Sequence, residues 1–184
     1  MNTGIAHARK PTASVVMRFV IWAIFLIGGA IVGIMLDLRD FHALFLNPWW
    51  HLAMLPIGLL LMRLVFSAST TTGRALARFG RDGDIPRFET NRLVTAGPYA
   101  CMRHPMHLGL LFMPLAFALV LGSPSFILII APLEMLFMLG MIMLLEEREA
   151  IAKFGDAYRH YQARVPAFNL RPSCLKKLFH GDPV

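Results

Sequence analysis

An all-α, polytopic membrane protein is the fold class this sequence predicts, and three observations carry the prediction. Of the 184 residues, 57% are hydrophobic and only 16% charged, with a mean hydropathy of +0.58, which excludes both a disordered chain and a water-soluble single domain. The apolar residues gather in four long runs and do not alternate in strand fashion, so a transmembrane barrel is excluded as well. Eighteen basic against eleven acidic residues are distributed so that the excess lies in alternate connections, as membrane topology requires and nucleic-acid binding does not.

The first run extends from about Val15 to Leu36, long enough to cross a hydrocarbon core of about 30 Å. Arg18 stands at its start, where it can snorkel. The run exceeds the apolar stretch of a cleavable signal and lacks a clear cleavage site, so it is expected to persist as a helix. The second, from Trp49 to about Ser67, opens on a Trp49-Trp50 pair suited to a membrane interface and contains Arg63. The third, Met106 to Gly122, is at the short limit for a span, and only Ser123-Pro124-Ser125 separates it from the fourth, Phe126 to Leu145. Helices 3 and 4 are therefore expected to form a tight hairpin. Pro56, Pro114 and Pro132 lie inside these runs, which membrane helices tolerate.

The segment up to Arg18, the stretch from Ala68 to Pro105 and the segment from Glu146 onward each carry a basic excess, whereas Asp37 to Pro48 carries one basic and two acidic residues. By the positive-inside rule both termini and the long middle segment are expected in the cytoplasm. Within that middle segment, Thr70 to Thr90 reads as a short amphipathic helix and loop on the leaflet surface, or as a gate for substrate. The tail after Pro166, with Lys176-Lys177, reads as a surface anchor, and Asp182-Pro183-Val184 offers no lipidation signal. Cys101 and Cys174 form no metal pattern, and their spacing gives no reason to propose a disulfide. Arg63 and Glu134 are expected to form an intramembrane pair that either braces the helices or lines an acceptor tunnel.

Two polar clusters stand about forty positions apart: Gly97-Pro98-Tyr99 through Arg103-His104-Pro105, and Glu146-Glu147-Arg148-Glu149. Counted from the turn at Pro124, their depths differ by less than one helical turn, so the hairpin brings them side by side. Pro105 suits a first helical position and His104 its cap, aiming unpaired N–H groups at the interface. With Arg103 as a fixed cation and Glu146 and Glu147 as anionic acceptors, the arrangement fits a zwitterionic ligand. Interfacial charges also simply mark where helices leave a membrane. His7, His42, His51, His104, His107, His160 and His180 show no regular metal-ligand spacing, so no metal is expected. No phosphate loop, nucleophile elbow or Cys/His nucleophile pair is present.

Arg92-Leu93-Val94-Thr95-Ala96-Gly97-Pro98-Tyr99, Arg103-His104-Pro105-Met106-His107-Leu108-Gly109, Glu146-Glu147, Phe154-Gly155, Tyr158, Tyr161 and Arg164-Val165-Pro166, in this order and spacing, resemble the isoprenylcysteine carboxyl methyltransferase and phospholipid methyltransferase-like membrane proteins. The resemblance implies S-adenosylmethionine-dependent transfer of a methyl group to a lipophilic acceptor that enters from the bilayer, with the cofactor in a cytoplasmic pocket closed by the C-terminal segment. It implies a cofactor site of Gly97, Tyr99, Arg103, His104, Pro105, His107, Glu146 and Glu147, with Arg164 and Glu147 at the chemistry. His107 stands where the family commonly has an aromatic residue. A single membrane domain over 1–184 is expected, divided into N-terminal helices and connector (1–91), methyltransferase-like region (92–166) and tail (167–184). Methyl transfer from a sulfonium is a direct displacement, so the missing nucleophile motif and metal are in keeping with it. Membrane lipids are the expected surroundings; the acceptor's reacting group and the oligomeric state are not written in the residues. A nicotinamide-dependent membrane reductase of the sterol-reductase type is the competing enzyme class, but Glu146-Glu147 suits a dinucleotide diphosphate poorly. A non-catalytic membrane protein leaves the two converging clusters unexplained.

Overall fold

The computed structural model describes residues 13–86 and 88–180, apart from the side chains of 14 and 15. The readings of the basic stretch before residue 13, of His7 and of Asp182-Pro183-Val184 fall outside the described residues. No strand occurs among the described residues. The elements are α1 (Ala13–Asp40), α2 (His42–Phe45), α3 (Pro48–Phe79), a 3-10 turn at Gly97–Ala100, α4 (Pro105–Leu111), α5 (Met113–Leu121), α6 (Ala131–Met141), α7 (Glu147–Phe154), α8 (Asp156–Arg164) and α9 (Pro172–His180).

Three helices are long and apolar enough to cross a membrane: Val16–Asp40, Pro48–Phe79 and the continuous Phe126–Phe154. Their exposed faces are rows of large apolar side chains, as lipid contact demands. The chain is an integral membrane protein. The third run, expected at the short limit for a span, forms the shorter apolar stretch Pro105–Leu121, which reaches about 25 Å at 1.5 Å per residue. Pro114, inside this stretch, has no N–H to give Leu110, and the chain tightens at the break between α4 and α5, where the Phe112 N–H bonds to the Gly109 carbonyl at 3.2 Å. The separate amphipathic helix expected after Thr70 is instead the end of α3, which runs unbroken through Pro56 for 32 residues, about 48 Å. Nothing between Ser67 and Phe79 punctuates the helix strongly enough to stop it.

At the end of the bundle away from the polar clusters, Gly122 takes a left-handed φ of 65° and the chain reverses through Ser123–Ser125. Asp37, fully buried on α1, accepts the Ser123 hydroxyl and the Ser125 N–H, the latter at 2.7 Å. Trp50 donates from its indole nitrogen to the Gly122 carbonyl at 2.8 Å. Helices α1 and α3 are thereby both tied to the hairpin turn. Along the bundle α3 packs on α5 at very short range: a Cβ added to Gly58 would stand 2.6 Å from the Val120 backbone nitrogen.

The long helix Phe126–Phe154 contains two π-helical segments, Phe126–Ile130 and Ile142–Glu146. Its buried residues are Phe126, Ala131, Glu134, Met138, Ile142 and Glu147. The stripe advances by three or four residues except across the π segments, where it advances by five. The Glu147 N–H bonds accordingly to the Ile142 carbonyl.

Further sequence expectations are overturned outside the site. Cys101 and Cys174 form a disulfide, with Cα atoms 5.6 Å apart. Sequence spacing gave no hint because α9 folds back along α3. There Cys174 and Leu178 join Ala68, Met102 and Leu108 in a buried cluster, and the Ser67 hydroxyl donates to the Phe179 carbonyl at 2.9 Å. The tail is thus packed on the bundle rather than serving only as a surface anchor. The Arg63–Glu134 pair does not form among the described residues: Arg63 is exposed on α3, while Glu134 lies against Gly29 of α1. Depth alone predicted a meeting, but α6 packs on α5 and α4 and turns Glu134 toward Gly29 of α1.

Candidate active site

The hairpin brings the two polar clusters together as their equal distance from the turn requires. Glu147, 8% exposed, is the centre. Its Oε1 accepts from Arg103 Nε at 2.9 Å and from His104 Nε2 at 2.6 Å, and its Oε2 accepts from Gln162 Nε2 at 2.6 Å. Arg103 also donates to the backbone carbonyls of Gln162, at 3.2 Å, and Val165. Arg103 and Glu147 therefore satisfy one another instead of being left for the two ends of a zwitterion. A buried ion pair persists only when its remaining hydrogen-bonding capacity is met, and here it is.

Beside this closed pair lies a more open one. His107 Nε2 donates to Glu146 Oε2 at 3.0 Å, with the two side chains 27% and 28% exposed. Arg18, from α1, approaches Glu146 at 3.7 Å and donates to both oxygens of Glu149 at 2.8 Å. The imidazoles of His104 and His107 meet edge to face at 5.7 Å, because Pro105 starts a helix that sets them three residues apart on one face. Burial dominates at His104 and, despite the Glu147 hydrogen bond, holds its pKa below the ordinary 6.5. The ring is thus neutral at pH 7 and carries its proton on Nε2.

His104, His107 and Glu146 place their donor atoms within 4.8 Å of one another, a grouping of metal-site dimensions that spacing along the chain did not suggest. Both Nε2 atoms already donate to carboxylates. These hydrogen bonds account for the grouping as it stands.

The backbone after α8 straps the loop. Arg103 N–H bonds to the Pro166 carbonyl at 2.9 Å and His104 N–H to the Ala167 carbonyl at 3.1 Å. The second of these takes up an N–H expected to be free at the helix start, and α4 is a single short helix, so the anion site anticipated there is not formed by the backbone alone. Asn169 Nδ2 reaches the Cys101 carbonyl at 3.3 Å.

Tyr99 is buried, and its carbonyl, like that of Met102, accepts from the Tyr161 hydroxyl. Gly97 uses a φ of 60° to begin the 3-10 turn that presents Tyr99. The Tyr158 hydroxyl is buried within electrostatic reach of Glu147 and Arg103 but makes no hydrogen bond of good geometry. Desolvation pushes its pKa up to about 12, so it is a neutral donor. Arg164, in contrast, is exposed at the end of α8 and has no hydrogen bond or ion pair among the described residues.

Sequence reasoning thus located Arg103, His104, Pro105, His107, Glu146 and Glu147 as one group, and missed Gln162 and Arg18. Gln162 was detectable: Tyr158, Tyr161 and Gln162 share one face of α8 at the spacing i, i+3, i+4. Arg18 carried no such signal.

No curated protein and no solved structure gives a significant match to the chain. The family model for phospholipid methyltransferase matches residues 52–157, from the second long helix through the start of α8 and over the hairpin with both clusters. With more than half of its length matched, the chain belongs to the phospholipid methyltransferase family.

Proposed function

We propose that this membrane methyltransferase uses S-adenosylmethionine and methylates a lipophilic acceptor reached from the bilayer. The observation that carries the reading is the convergence, in a chain of this family, of Arg103-His104 and Glu146-Glu147 at the bundle's end, with Glu146 partly exposed and the buried Tyr158 hydroxyl without a well-formed hydrogen bond. S-adenosylmethionine presents an ammonium, a carboxylate and a sulfonium, and the donor set fits. Glu146, partly exposed, accepts from the ammonium in place of His107; the orphaned Tyr158 hydroxyl donates to the carboxylate. Gly97 and Tyr99 line the adjoining wall, with Pro105 fixing the start of α4.

When bound, the cofactor supplies the methyl group on a sulfonium. The protein's part is alignment and exclusion of water. Glu147, already saturated by Arg103, His104 and Gln162, acts as a positioning residue that holds the loop and α8 in register. Arg164, with its guanidinium uncommitted, receives an acidic group of the acceptor. For an acceptor that must lose a proton, His107 is the base within the open pair. The basic excess at this end supports a cytoplasmic orientation for the site and both termini.

Titration of S-adenosylmethionine into the detergent-purified protein by calorimetry tests the cofactor. Saturable binding is expected, weakened at least tenfold by Glu146→Gln, with a nicotinamide dinucleotide not bound. Absence of binding in protein with an intact melting transition overturns the cofactor assignment. Label from methyl-tritiated cofactor is expected in the lipid extract; label confined to water-soluble products overturns the lipophilic acceptor.

A further inference from the structure

A groove of about 490 Å³ lies between α1 and α6, walled by apolar side chains and the glycines of α1. That volume is within the range of small-molecule sites. Phe25 and Phe137 stack at 5.1 Å across one end. Gly28, on the wall, has nothing within 4 Å of where its Cβ would stand, and Gly29 makes room for Glu134, whose Oε1 a Cβ there would strike.

Glu134 is the one ionisable group lining the groove. The residue is 6% exposed and has no hydrogen bond or ion pair among the described residues. A carboxyl group at membrane depth without a partner is expensive, since lipid supplies no donor. Mere packing between helices needs no such group, and a leucine would fill the space more favourably.

We propose that the α1–α6 groove binds a single-chain lipophilic amine, its protonated nitrogen on Glu134 and its chain along the apolar walls. The cation supplies both the opposite charge and the N–H donors that the carboxylate lacks. This site is separate from methyl transfer: Glu134 stands twelve residues before Glu146 on one continuous helix, about 18 Å along its axis. A nitrogen held there is out of reach of Glu146 and His107.

Trp22, whose ring centroid is 6.4 Å from that of Phe25, provides a reporter at the groove. The test uses the protein in nanodiscs of zwitterionic phospholipid without S-adenosylmethionine, so its outcome is independent of the cofactor reading. The probe is a chain-brominated dodecylamine, compared with the brominated alcohol of the same chain. Saturable tryptophan quenching by the amine is expected, absent in Trp22→Phe. Half-saturation is expected to move at least tenfold in Glu134→Gln and in Gly28→Leu, which projects into the groove from a position with open space at its Cβ. Unsaturable quenching, equal quenching by the alcohol, or unchanged binding in Gly28→Leu overturns the proposal.

Discussion

Replacing Glu147 with alanine should destabilise the whole site end, and the structure sets the size of the effect. Glu147 is 8% exposed and accepts from Arg103, His104 and Gln162. Its removal leaves the Arg103 guanidinium, 11% exposed, without its counter-charge. Breaking a buried pair by deleting one partner costs about 3 to 5 kcal/mol. Arg103 keeps the carbonyls of Gln162 and Val165, so the lower end, about 3 kcal/mol, is expected. For a chain of this size that corresponds to a fall in Tm of about 6 to 12 °C, measured by circular dichroism on the detergent-solubilised protein. The pair is replaceable by apolar groups of similar volume, so Arg103→Met with Glu147→Leu should recover most of the loss. A Glu147→Ala variant within 2 °C of the parent, or a double variant less stable than either single one, would refute the role assigned to Glu147.

Lowering pH should weaken the fold through His104. Its folded pKa is held below the unfolded 6.5, so the unfolded chain binds the proton first. Stability is fully present above about pH 6.5 and falls on acidification below it, by at most about 1.4 kcal/mol per pH unit; the Tm of His104→Gln should lose that component of the slope. Reducing the Cys101–Cys174 disulfide removes a cross-link spanning 73 residues, worth up to about 4 kcal/mol by loop closure. Cys101→Ser with Cys174→Ser should melt lower, and a melting curve insensitive to reductant in the parent would count against the link. Gly58→Val, which drives side-chain atoms into the backbone of α5 at Val120, should cost about 1 to 3 kcal/mol, whereas Gly28→Ala should be neutral in the same assay. Arg18→Ala, an exposed pairing, should change stability by under about 1 kcal/mol.

How much could be read from the chain follows from which interactions are local. Apolar runs, basic connections and the distance of each cluster from Pro124 are properties of consecutive residues, and they led to the helical membrane architecture and to the meeting of Arg103-His104 with Glu146-Glu147. What was missed depends on lateral packing. Nothing in the sequence says that α6 turns Glu134 toward α1, so depth alone paired Glu134 with Arg63. Cys174 reaches Cys101 only because α9 folds back along α3. The break at Phe112 was written in Pro114 but was masked by the continuous apolar run around it. Arg103 and Glu147 were expected to face a ligand; composition cannot reveal that the backbone of the C-terminal strap and Gln162 complete their shells.

The five-residue step between Ile142 and Glu147 also bears on how this helix tolerates change in length. A π segment holds one residue more than the α-helical turn it replaces. Deleting a lipid-facing residue there, such as Leu144, 59% exposed, would let the segment close to an ordinary turn while Glu147 stays on the buried stripe. The same deletion within α6, between Glu134 and Met138, has no slack to absorb it and would swing every residue beyond it by about 100°. The membrane-crossing part of the helix and its polar end are thus joined by an expansion joint, where chain length can drift without turning the site away from its partners.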